Sequence, residues 1–195
     1  MTNEQIFKNK KAFKALAEKH IKRECINELI SYLETETDFF EAPASTKYHG
    51  SEAGGLCQHS INVGKQLFAT APHFFPGVEF SSESLAIVSL FHDICKAGCY
   101  KKDVKNQKNN ETGQWEKVDY FRFEEDFPFG GHGSKSVFLI NEFMKLTREE
   151  AAAINCHMGF SDTTNINAIS SVYEKNPIAW LLHVADEAAT YVDKI

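Results

Sequence analysis

Apolar residues recur at mixed spacings of three to six over residues 4–36: Phe7, Phe13, Leu16, Ile21, Cys25, Ile26, Leu29, Ile30 and Leu33, with Lys and Glu on the other faces. This pattern predicts helix, broken near His20. Over residues 37–55 the period is lost and Pro43, Gly50, Gly54 and Gly55 appear. A loop of that length is often a functional one. Helical spacing returns at Leu56, Ser60, Val63 and Leu67, to about Thr70, and stops at the breakers of residues 71–77. Leu85–Gly98 is apolar nearly all round and predicts one buried helix. Ser81 or Ser82 caps it, with Glu83 in its first turn.

Beyond Gly98 the pattern changes. Residues 99–130 are polar and turn-rich, then aromatic, which predicts a β-hairpin turning near Asn109–Gly113. A helix follows from His132 to about Lys145. Thr147-Arg-Glu-Glu150 is a capping box before a short helix ending at His157. Residues 160–175 read as loop with one helical turn. Asn176-Pro177 opens a last helix to about Asp193. The expected fold is all-α: a single domain over residues 1–195, with a helical segment at 1–36. A β-hairpin around 100–125 forms the core of a flap insertion at 99–130.

The chain has 195 residues, 43% hydrophobic and 25% charged, as in an ordinary globule. Its formal net charge of −6 disfavours long nucleic acid as a partner. The N-terminus has no apolar stretch of the signal-peptide kind, and no run approaches a membrane span, so a cytoplasmic protein without a membrane partner is expected. Five cysteines with no CxxC predict neither a disulfide framework nor a zinc finger. Oligomeric state is not legible.

The buried Leu85–Gly98 stretch nevertheless carries His92, Asp93 and Lys96. A buried charge without a partner is costly. Two readings are open: a buried His–Asp hydrogen bond, or a metal site. Further His and Asp residues sit on other elements: His59, His132, His157 and Asp186. Helical bundles build metal sites from such facing side chains. Six are too many for one closed tetrahedral site but suit two ions bridged by a carboxylate. His183, one turn before Asp186, is either a supporting residue or core. His20 reads as a surface residue, His73 as structural or exposed, and Cys57, Cys95 and Cys156 as small buried hydrophobes. His49, in the long loop, is a candidate for substrate contact. So are Lys101, Trp115 and Arg122, if the hairpin is a lid. A start such as Gly131-His132-Gly133 also exposes backbone N–H groups to an anion.

The ordered set His59, His92-Asp93 and Asp186, with His132, His157 and Lys96, resembles the HD-domain metal-dependent phosphohydrolases. The local match is nearest to the HD domain of a bacterial 3′–5′ exoribonuclease family, through Phe40-Glu-Ala-Pro43-Ala44 and Gly54-Gly55-Leu56-x-x-His59-Ser-x-x-Val63. It covers residues 39–191. The resemblance implies an HD-domain helical bundle and a phosphohydrolase with one or two divalent ions (Mn, Fe, Zn, Co, Ni or Mg). His59, His92, Asp93 and Asp186 would hold the first ion, with Asp93 bridging. His132 and His157 would hold the second. A metal-activated water would attack phosphorus, with Asp93 and Lys96 as the catalytic groups. The expected substrate is a small phosphoester, a nucleotide or similar. The alternatives are a nuclease of short single strands and a non-catalytic nucleotide-binding regulatory module. Two departures mark this chain. Residues 1–36 are too short and wrongly patterned for that family's OB-type domain, and the hairpin is longer than the family pattern.

Overall fold

Short-range chemistry sets most of the helix ends. Thr2 accepts a hydrogen bond from the Gln5 amide and starts α1 (Asn3–His20). Cys25, at φ 64°, turns the chain into α2 (Ile26–Thr35). α3 spans Gly55–Phe74. Ser81 accepts from the Ser84 amide and caps α4 (Ser82–Phe91). After the hairpin come α5 (His132–Asn141), α6 (Arg148–Asn155), α7 (Ile166–Lys175) and α8 (Pro177–Tyr191). The capping box at Thr147 and Glu150 forms at the start of α6. This is a computed structural model describing residues 1–47, 49–125, 127, 129–161 and 166–193. The described residues are mostly helical, with one two-stranded antiparallel sheet.

The buried faces then decide the packing. α3 lies against both α8 and α4, α6 against α8 and α5, and α1 against α4 and α3. Phe13 of α1 meets Phe39, Phe40 and Phe91 edge-on, with ring centroids 5.2 to 5.7 Å apart. Such edge-to-face geometry suits the ring quadrupoles. The first part of the 37–55 loop is thus core: Phe39, Phe40, Ala42 and Ala44 are all buried.

Three elements differ from the sequence expectation. The helix expected over Leu85–Gly98 stops at Phe91 and is followed by a single 3₁₀ turn, Ile94–Lys96. In a 3₁₀ turn side chains three apart eclipse, so the tightening stacks Lys96 over Asp93. α5 ends at Asn141, and the Asn141 side chain accepts from the Leu146 amide. Within 160–175, expected as loop, residues 166–175 form the full helix α7. Residues 162–165 of that stretch lie outside the described residues.

The hairpin pairs β1 (Tyr100–Lys108) with β2 (Trp115–Phe123), in register from Tyr100 opposite Phe123 to Lys108 opposite Trp115. Asn109 accepts from the Glu111 and Thr112 amides and shapes the turn. At its base Tyr100 is buried, and its hydroxyl donates to Ala44 O at 3.1 Å. Strand rise puts Trp115 roughly 26 Å from that base. Among the described residues no helix is long and apolar enough to cross a membrane, and the five cysteines form no disulfide.

Candidate metal centre

Four elements deliver ionisable groups to one buried place. His59 projects from the second turn of α3, on the face that also buries Leu56, Val63 and Leu67. His92 and Asp93 occupy the tightened turn after α4, His157 follows the end of α6, and Asp186 comes from α8. Helix α5 closes against α6 because Gly133 has no side chain. A Cβ there would sit 2.5 Å from the carbonyl oxygens of Ile154 and Asn155. That close approach accounts for the glycine after His132.

The ligand atoms converge. His59 Nε2 is 2.9 Å from Asp186 Oδ1 and 3.9 Å from Asp93 Oδ2. His92 Nε2 is 3.4 Å from Asp93 Oδ2 and 3.9 Å from Asp186 Oδ1. His157 Nε2 is 3.4 Å from Asp93 Oδ1. Two overlapping groups, His59–His92–Asp93 and His92–His157–Asp186, each offer ligand atoms within 4.8 Å of one another, a spacing that could hold a metal ion.

Tautomers sharpen this picture. His92 Nδ1 lies 2.9 Å from Ser89 O, and His157 Nδ1 lies 2.7 Å from Ile154 O. A carbonyl only accepts, so each Nδ1 carries the proton, and in the neutral ring Nε2 keeps its lone pair. Those lone pairs face carboxylate oxygens. Nitrogen lone pairs aimed at anionic oxygens repel unless a cation lies between them. Among the described residues, His59 Nε2, His92 Nε2, His157 Nε2 and Asp93 Oδ1 are buried without a hydrogen-bond partner. Buried polar groups are seldom left so. The donor set of imidazole and carboxylate fits a divalent transition metal.

Lys96 Nζ sits 2.6 Å from Asp93 Oδ2. Burial alone would raise the Asp93 carboxyl. The Lys96 ammonium beside it instead holds it well below the usual range. Burial works against the charge on Lys96 too, but Asp93 outweighs it and pushes the ammonium up. A proton on His59, facing Asp186 at 2.9 Å, would likewise hold that carboxyl low against its burial. Both carboxylates are ionised at neutral pH.

Other candidates stand around this cluster. His132, the first residue of α5, has Nδ1 3.8 Å from Cys95 Sγ and belongs to neither group of converging atoms. His157, expected with His132, converges with His92 and Asp186 instead. His49 stacks on His59 with ring centroids 4.6 Å apart, and burial pushes its imidazole down to about 4. The structure does not bring Lys101, Trp115 or Arg122 to the cluster. Side chains alternate along a strand. Tyr100 and Phe123 turn toward the body, so Lys101 and Arg122 lie on the other face. Arg122 pairs with Glu124 at 2.7 Å. Trp115 is 71% exposed, at the far end of the hairpin.

Two supporting residues emerge with the structure. His183 Nδ1 lies 2.8 Å from His157 O, and its ring stacks on Tyr173. It therefore fixes the backbone of a site residue. Tyr100 anchors the hairpin through its hydroxyl bond to Ala44 O, and the Lys96 charge works against the burial that raises that hydroxyl. The one-turn spacing from Asp186 was a signal for His183; nothing local marked Tyr100. His20 is not free on the surface but packs on Phe68, with ring centroids 4.9 Å apart. No protein-family model, curated protein or solved structure matches the chain.

Proposed function

We propose that the chain is an HD-type metal-dependent phosphohydrolase that cleaves the phosphoester of a nucleotide or similar small substrate. One observation carries this reading: His59 Nε2, His92 Nε2, His157 Nε2 and Asp93 Oδ1, from three elements, are buried and unpartnered among the described residues and converge, with Asp186 from a fourth, on one centre. His59, His92, Asp93 and Asp186 would hold a divalent ion. His157 faces the second oxygen of Asp93, and His132 stands nearby for a second ion. A bound divalent cation supplies an acidified water and a clamp for phosphate oxygens. The chain's own residues do the rest. Ser89 O and Ile154 O accept from Nδ1 of His92 and His157, so the neutral rings present their Nε2 lone pairs to the centre. Lys96 keeps Asp93 ionised and sets a positive charge where phosphoryl charge would develop. Mn, Fe, Zn, Co and Ni suit these donors better than Mg.

The test is a panel of nucleotides, cyclic nucleotides, an aryl phosphate and labelled oligonucleotides, run on protein stripped and reloaded with each metal. Metal-dependent release of phosphate or cleavage is expected. Asp93→Ala should lose both bound metal and activity while keeping its helical circular dichroism. Full activity in the reloaded variant would sink the proposal. Lys96→Ala should be milder, a loss of roughly 10–1,000-fold.

A second reading, cleavage of short single strands, has one observation in its favour. Strand alternation puts Phe123, Phe121 and Trp115 on the hairpin face that also carries Lys102, Lys108 and Lys117. Aromatic residues interleaved with cations suit stacked bases on a phosphate backbone. The oligonucleotide arm of the panel separates the two readings.

A further inference from the structure

His49 is a ring at the cluster's edge that the metal chemistry does not use. Both of its nitrogens are buried, and neither has a hydrogen-bond partner among the described residues. It joins neither group of converging ligand atoms. Its ring lies against that of His59, tilted by 40°, within electrostatic reach of Lys96, Asp93 and Asp186. A histidine that merely filled space would be expected to satisfy at least one nitrogen.

The backbone that presents it is pinned on both sides. Ser45 Oγ donates to His49 O at 2.7 Å. The Ala44 amide donates to Gly50 O at 2.8 Å, and the Tyr100 hydroxyl holds Ala44 O. Gly50, at φ 54°, turns back so tightly that any Cβ on Gly55 would collide with its carbonyl. A loop tied at this many points is built to hold its side chain in place. Among the described residues, the side chain so held has no hydrogen-bond partner.

We infer that His49 binds the phosphoryl group of the substrate, donating an N–H hydrogen bond to a phosphate oxygen beside the metal ligands. This rests on the phosphohydrolase reading and deepens it. An imidazole always has an N–H to offer. The Lys96 ammonium and any bound cation would draw the same anion to this place. His49 is then a substrate-contact residue rather than a ligand.

The probe is inorganic phosphate, titrated into metal-loaded full-length protein by calorimetry and as a competitor of aryl phosphate hydrolysis. His49→Ala should keep the wild-type metal content and circular dichroism. Its phosphate affinity should fall roughly tenfold to a hundredfold, the loss expected for a hydrogen bond to a charged group, with KM for the ester rising in step. His49→Gln, which retains an N–H, should recover part of the loss. Unchanged phosphate affinity at full metal content overturns the assignment. So does loss of metal from both variants, which would make His49 a ligand or a structural residue. If the wild type binds metal and phosphate but hydrolyses nothing, the phosphohydrolase reading fails. The phosphate affinity of His49→Ala still decides this one.

Discussion

Glu150 is buried outright, and four donors share its carboxylate: Arg23 through both terminal nitrogens at 2.6 Å, the Ser84 hydroxyl and the Thr147 amide. The residue that completes the α6 capping box thus also clamps the α1–α2 turn and the start of α4. Burial alone would raise its pKa; Arg23, Thr147 and Ser84 bring it below the usual value of 4.5. A carboxylate depressed on folding contributes stability above its unfolded pKa, and that stability is lost as pH falls through the folded value. Glu150→Gln should destabilise the protein at pH 7 by roughly 3–5 kcal/mol. The low end is expected, because Arg23 keeps 21% side-chain exposure and can rehydrate. Urea unfolding at pH 7 and at pH 3 checks both parts: the variant should be the less stable at pH 7, and its gap from the wild type should narrow on acidification. At this scale the capping box was legible because its partners are three residues apart. The Arg23 pair, 127 residues apart, was not. The site divides the same way. His59, His92, Asp93, His157 and Asp186 each stood out as polar groups in buried or capping contexts. Which of them meet depends on helix approach, set in part by Gly133 against the α6 carbonyls, and no local pattern encodes that.

Among the elements, the turn after α4 and the hairpin matter most. Apolar periodicity predicted the buried helix but not its end, because Ile94 and Cys95 continue the apolar run through the 3₁₀ turn. The turn is set by Asp93, Lys96 and the groups they meet, which are tertiary partners. α7 was legible in principle: Ile166, Ile169, Val172 and Tyr173 fall at helical spacing, and Ile169 is buried. The hairpin and its turn were read from composition and alternation. The direction its faces point was not, since this depends on Tyr100 docking onto Ala44. That docking changes what the hairpin is expected to do. A cleft of ≈510 Å³ runs between its inner face, with Lys102, Val104 and Phe121, and loop residues Ser51–Ala53. Its tip lies roughly 26 Å from the base, beyond the reach of a mononucleotide held at the cluster. Replacing Asn106–Trp115 with a short Gly-Ser turn should therefore leave aryl phosphate and mononucleotide hydrolysis within about twofold. If short strands are substrates, their cleavage should fall roughly five- to hundredfold, the worth of one stacked base. An equal loss on all substrates would place the tip's effect in folding rather than in substrate contact.

For the whole molecule, the cluster is where distant parts of the chain are joined. The hairpin carries six basic residues (Lys101, Lys102, Lys105, Lys108, Lys117 and Arg122) against four acidic ones (Asp103, Glu111, Glu116 and Asp119), within a chain of net charge −6. A phosphorylated ligand bound against those lysines should bind more weakly as salt is raised. Behind it, a cation at the cluster would tie α3, the turn after α4, the end of α6 and α8 together. An ion that binds only the folded protein stabilises it by mass action, about 2.7 kcal/mol at a hundred times its dissociation constant. For a domain of this size each kcal/mol is worth about 2–4 °C. Adding Mn²⁺ or Co²⁺ to chelator-treated protein should raise Tm by roughly 5–10 °C at that saturation. The helical core itself, with Phe13, Leu29, Leu67 and Leu182 buried well outside any ligand role, should keep the stripped protein folded at room temperature. His92→Ala removes the ring common to both convergent groups and should abolish the Tm rise without abolishing the fold. Scanning calorimetry on the wild type and this variant, with and without metal, measures it. A wild type indifferent to every divalent ion would mean that the facing lone pairs are relieved by protons instead. The cluster would then be a buried hydrogen-bonded core and not a metal centre.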